Sequence, residues 1–231
     1  AYLTNADLTR ADLSGANLVN AKLAMAQLSE ANLTNANLTG ADLDDANLRE
    51  ANLTNADLTS ADLVNANLKY ADLTRADLSG AHLYADLHWA DLTNANLTGA
   101  NLKSAYLVNA KLVGANLTNA NLTSSANLRE ADLTNAKLVA ANLTGANLKD
   151  TNLTGVDVSG TNFINAYGIT RDTLREYGVL NIDKAKNVPE VLREPPSSFN
   201  YSVWDSEGEW DSEGEWEGGR KNTIKKKKKQ R

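Results

Sequence analysis

Residues 1 to 165 repeat every five residues as Ala-(Asp/Asn)-Leu-x-x, and this period fits neither regular element as a continuous run. On a helix turning about 100° per residue, successive leucines would rotate by about 140° and spread over every face. On an unbroken strand an odd period would send alternate leucines to opposite sides. Both conflicts vanish if each pentad is a short extended segment followed by a two-residue corner. Ala and Leu, two apart, then point inward, and the corner resets the direction of the chain.

The pentads group further. Units ending in a charged or aromatic pair run over 31–50, 51–70, 71–89, 90–109, 110–130 and 131–150, with lengths of 20, 20, 19, 20, 21 and 20 residues, always four pentads. One pentad is a residue short (AHLY, 81–84) and one is a residue long (ANLTSS, 120–125), so the two changes cancel. Four pentads therefore make one coil. The segment holds 33 pentads, or about eight coils, giving roughly 40 Å of stack at strand spacing. The central residue is Leu except at Val158 and Phe163, and the first is Ala except at Thr151, Val156 and Thr161, so the pattern decays only toward its C-terminal end.

This register resembles that of the pentapeptide repeat proteins, on the strength of near-identical units such as ADLTR, ANLTN and ANLTG, and the regular Ala/Leu pattern resembles the cyanobacterial members. The resemblance covers residues 1–165 and implies an all-β fold, a right-handed quadrilateral β-helix, whose hand comes from the family. It also brings a functional alternative, because members of the family include acidic rods that imitate DNA and bind gyrase.

Composition narrows the chemistry. The chain has no Cys, two His (His82 and His88), one Met and two Phe. Thiolate chemistry is excluded, and a His-based triad or metal site has almost no material. No nucleophile, base and orienting group come together in the pattern. The sequence thus predicts a protein that is not an enzyme and has no cofactor, metal or small-molecule substrate. No apolar run approaches the length of a membrane span and no leader-like segment precedes the first pentad, so the expected location is cytoplasmic.

The four sides are not equivalent. In the first two pentads of each unit the corner is mostly Thr or Ser followed by Asn or Gly, which suits one shared tight turn with positive φ. The stacked threonines are expected to hydrogen-bond to one another along the axis. The fourth pentad instead ends in Arg49-Glu50, Lys69-Tyr70, His88-Trp89, Val108-Asn109, Arg129-Glu130 and Lys149-Asp150. Both length changes fall at the corner just before it. Tyr70, His82, Tyr84, His88, Trp89 and Tyr106 form the one aromatic cluster of the repeat region and are the candidate partner-binding residues, since Trp and Tyr dominate protein contact sites. The alternative is a ring stack that covers an irregular corner.

Residues 166–196 lose the period and read as a helical cap over the last coil. A short helix lies in GITRDTLREYGVLN, with Thr170 as N-cap, Leu174 and Tyr177 as apolar contacts and Gly178 as its stop. A further turn is expected in NVPEVLREPP, opened by Pro189. The first pentad begins at residue 1 without a cap, which leaves truncation or end-to-end pairing of two copies open. Residues 197–231 read as a disordered tail. Trp204, Trp210 and Trp216 recur in an acidic block, and Lys225 to Lys229 follow in a basic one. That tail could be a docking motif, a nucleic-acid tether or mutually neutralising solvated blocks.

Residues 1–165 carry 17 acids and 10 bases, a net charge of -7. A 40 Å DNA mimic would need on the order of twenty charges at one per 1.7 Å. Eleven of the acids precede the central apolar residue and are spread over all four sides. The sequence therefore favours a rigid, non-catalytic scaffold that binds protein through its fourth edge. The gyrase-binding DNA mimic is the alternative, and a spacer presenting a functional tail is the third reading.

Overall fold

The computed structural model describes residues 1–193, which all fall within one compact unit, Ala1–Glu194. The last residues of the expected cap, 194–196, lie outside the described residues. So does the expected tail, with Trp204, Trp210, Trp216 and Lys225 to Lys229.

Each pentad contributes one bridge residue, the one before Leu, and it pairs in parallel with the residue one coil further on: Asn32 with Asn52, Asn37 with Asp57, Asp42 with Asp62, Asn47 with Asn67. We number these four columns of rungs as sides one to four. The bonding is the same in every regular pentad. Leu33 donates its backbone N–H to Asn52 (2.7 Å), Asn35 donates to Thr54 (3.0 Å), and Asn52 donates back to Ala31 (2.9 Å). Ala36 donates to Leu33 across the corner at 2.9 Å. Backbone polar groups that a narrow apolar core would otherwise leave unpaired are thus satisfied between coils. From Leu23 onward every central Leu is fully buried, with Ala beside it except at Thr151, whereas Leu3, Leu8 and Leu13 of the first coil are only partly buried.

The corner hydrogen bond spans Leu to the next Ala, and the residue before that Ala has positive φ, as in a type II turn. Asn and Gly meet this requirement at little cost. The fold nevertheless imposes it on Met25 (φ 57°), Glu50 (60°), Tyr70 (60°) and Trp89 (61°), where a side chain with Cβ is strained by about 1–2 kcal/mol.

The two length changes are absorbed locally. Pairs step by 19 residues from Asn67 to Asp86 and by 21 from Tyr106 to Asn127, returning to 20 between Asn127 and Asn147. At the short corner Tyr84 has no positive-φ partner after it, while Ser124 and Ser125 at the long corner both have positive φ.

Position two and position four are coupled. The Asn32 side-chain oxygen accepts the Thr34 backbone N–H at 3.1 Å and its hydroxyl at 2.7 Å. Asp132 receives the same two bonds from Thr134, at 3.0 and 2.6 Å. These are Asx turns, which explain why Asp or Asn precedes the central Leu. They also correct the expectation of threonine hydroxyls bonded to one another: the position-two oxygen of the same pentad takes the hydroxyl proton, and toward the next coil the hydroxyls of Thr98 and Thr134 accept from the amides of Asn116 and Asn152. Along the axis the ladder is made by amides: Asn32 Nδ2 donates to Asp12 and Asn96 Nδ2 to Asp77, both at 3.1 Å.

At the C-terminal end, helix α1 spans Arg171–Glu176, and the hydroxyl of Thr170 accepts the Thr173 backbone N–H. Leu174 is fully buried. Two expectations fail here. Tyr177 is the C-cap and 36% exposed, because it leaves the helix on the solvent side. No helical turn forms at Pro189. The second turn is a 3-10 segment at Ile182–Lys184, placed where its flanks can pair with the last coil. Leu180 bridges Asp157 and Lys186 bridges Asn162, so the segment supplies rungs to two sides. Asn181 and Asn187 extend the amide ladder onto Asp157 and Asn162, at 2.9 and 2.8 Å. Sheet-like pairing, with α1 beside it, closes the stack. No helix among the described residues is long and apolar enough to cross a membrane.

Candidate functional site

The fourth side carries the aromatic residues on two successive coils. Lys69-Tyr70 and His88-Trp89 occupy equivalent corners, and the parallel register stacks them. The rings of Tyr70 and Trp89 lie 5° from parallel with centroids 6.5 Å apart. The Arg49 guanidinium, one coil earlier, stands 5.0 Å from the Tyr70 ring centroid. Tyr70 and Trp89 are 48% and 52% exposed.

A carboxylate underlies the stack. Asp86 Oδ1 lies 2.5 Å from His88 Nδ1 and accepts the His88 backbone N–H at 3.2 Å. Its second oxygen is 3.1 Å from Lys69 Nζ. His88 replaces the usual threonine as donor to position two, and its ring stacks on Tyr106 with centroids 5.9 Å apart. Asp86 therefore ties the residues preceding Tyr70 and Trp89 to one point. Burial raises its affinity for a proton, but His88 and Lys69 outweigh that and hold the carboxyl below the ordinary aspartate value. The Tyr106 hydroxyl is pushed up by burial, with smaller contributions from Tyr84 and Asp86.

The structure thus joins Tyr70, Trp89, His88 and Tyr106 in two stacks and leaves Tyr84 exposed beside Tyr106 at the short corner. His82 is not part of these stacks. It is an exposed rung on the third side, between Asp62 and Asn101. Asp86, Lys69 and Arg49 were not singled out from the sequence as members of the cluster. The signal was present in the register, which places Lys69 one coil before His88 and Asp86 two residues ahead of it. Arg49-Glu50 and Arg129-Glu130 form half-exposed ion pairs at 2.9 and 2.7 Å. Among the described residues no group of three or more His, Cys, Asp or Glu side chains forms a metal site.

The family description "Pentapeptide repeats" matches eight copies over 1–35, 26–63, 46–84, 85–123 and 126–165. The chain belongs to the pentapeptide repeat family. Membership implies a right-handed β-helix, in keeping with the parallel rungs. Among solved structures, the pentapeptide repeat protein HetL of the cyanobacterium Nostoc, involved in heterocyst differentiation regulation, is 36% identical, with 72% of this chain and 80% of HetL covered and a TM-score of 0.36. Rfr23 from the cyanobacterium Cyanothece is 29% identical over 50% of this chain and 89% of its own, with a TM-score of 0.36. QnrB1, a plasmid-mediated fluoroquinolone resistance protein, is 18% identical over 65% and 80%, with a TM-score of 0.38. Comparison with curated protein sequences finds no match.

Proposed function

We propose that this pentapeptide repeat protein is a non-catalytic scaffold that binds a protein partner through the fourth edge of its solenoid. One observation carries the reading: a half-exposed Tyr70–Trp89 stack is fixed in register on two successive corners of the fourth side. Both residues sit at corners whose positive φ suits Asn or Gly, so their presence there is costly to folding. Exposed, rigid aromatic side chains are the usual anchors of protein contacts. Carboxylates of position two, in contrast, are engaged in turns on all four sides, as at Asp72, Asp57, Asp62 and Asp86, which supports a contact edge over a DNA-like row of charge.

The test is capture of partners from the native host with the wild type and with Tyr70→Ala/Trp89→Ala. The double substitution is expected to lower capture of the specific partner at least tenfold, while circular dichroism and melting stay near wild type. Unchanged capture would refute the assignment of the edge.

A further inference from the structure

We infer that the exposed half of the Trp89 indole receives an arginine from a basic segment of the partner protein. The inference rests on the fourth edge being the contact surface and names the chemistry of what meets it. The stack has an order along the axis: Arg49, then Tyr70, then Trp89. Its first member is a guanidinium placed over Tyr70 by the chain itself. On the far side the next coil places Val108-Asn109, and among the described residues no second ring or cation stands against the indole, which is 52% exposed. Trp presents the strongest cation-binding face of the aromatic side chains, and Arg is its most frequent partner.

Charge points the same way. The nearby cations are already neutralised, Arg49 by Glu50 and Lys69 by Asp86, so an acidic partner would find no free counter-charge there. Asp72 follows Tyr70 across the corner; Asp91 follows Trp89 at the same offset, with Lys111 Nζ 3.4 Å from its carboxylate. The wall as a whole carries 17 acids against 10 bases. An approaching cation is therefore drawn in by the long-range field and held by the ring face. An arginine also presents a flat guanidinium that continues the stacking already made by Arg49.

The chain has four Trp, so each indole N–H gives a separate nuclear magnetic resonance signal in the full-length protein. Trp89 is assigned by its loss in Trp89→Phe. The probe is the peptide Ac-Gly-Arg-Gly-Arg-Gly-amide, compared with the same peptide carrying neutral citrulline. The arginine peptide is expected to shift the Trp89 signal saturably, with the citrulline peptide weaker by about fivefold or more. A Trp89 signal that stays still, including when the other three indoles move, overturns the inference, as does an equal response to both peptides. If Tyr70→Ala/Trp89→Ala abolishes partner capture while Trp89 ignores arginine, the contact edge stands and the arginine receptor falls.

Discussion

Replacing Asp86 by Asn separates its role as a turn former from its role as a charge. Asn is the natural alternative at this position and would still accept the His88 backbone N–H. The substitution removes only the ionic half of the cluster: the contact with Lys69 at 3.1 Å and the charge on the 2.5 Å contact with His88. Charge-assisted hydrogen bonds contribute about 1.5–3 kcal/mol. The Lys69 side chain is one-third exposed, so the lower end applies and the expected loss is about 1.5 kcal/mol. For a unit of this size that is a fall of roughly 3–6 °C in melting temperature. Asp77→Asn is the matched control. Asp77 accepts only the Ser79 backbone N–H and the Asn96 amide, at 2.9 and 3.1 Å, and an Asn oxygen can take both, so its loss stays under about 0.5 kcal/mol. The pH dependence has a fixed sign. Asp86 is held below its ordinary value, so its stabilisation is complete above the unfolded value of about 3.9 and is lost as pH falls through the folded one. The gap between wild type and Asp86→Asn should be full near pH 7 and close progressively below about pH 4. Urea melts across that range measure it. A loss no larger than the Asp77 control, or a gap unchanged down to about pH 3, would sink the reasoning.

Two further substitutions follow from the same bonding. Asp44 occupies a position that is usually Thr; its Oδ1 is buried without a partner, and its carboxyl is raised by burial and then by Asp45, Asp62 and Asp42. Asp44→Thr restores a hydroxyl donor to Asp42 and should stabilise by about 1 kcal/mol near pH 7. Because the wild-type penalty is relieved as pH falls through that raised value, the advantage should shrink on acidification in paired melts. Gly168 has φ +83° and lies so close to the backbone of Leu148 and Lys149 that a Cβ has no space. Gly168→Ala should cost more than about 2 kcal/mol, read as a lower melting temperature, whereas Gly15→Ala, with open space around it and strained only through φ, should cost less.

The coil was legible from arithmetic because side-chain period and backbone period coincide. Four pentads return to the same side, and the short and long pentads cancel. The corner conformation was legible too, through Asn and Gly. What periodicity could not give was the direction of each polar bond. Stacked threonine hydroxyls are expected to bond one another, but Thr34 donates within its own pentad, where the position-two oxygen is nearer, and Thr98 and Thr134 meet the next coil only as acceptors of an Asn amide. The cap was misread at Tyr177 and Pro189 because helix signals were weighed alone. Leu180 and Lys186 instead answer the unpaired backbone of Val156 and Thr161, a demand set by the preceding coil rather than by local sequence. In the aromatic cluster, composition pointed to the rings, while Asp86, the residue that ties two of its coils together, looked like any other position-two acid.

The bonding between coils also decides how the rod answers a pull. Regular coils are fastened to the next by three backbone bonds per pentad, repeated on each side and directed along the axis, and the short and long pentads keep two of the three. Tension applied at the two ends therefore loads these bonds lengthwise, and the weakest interface opens as a unit. Each opening pays out about 20 residues, roughly 70 Å of contour against about 5 Å of folded height. A chain of this kind lengthens in near-equal steps, and the C-terminal cap and the irregular coils set which step comes first.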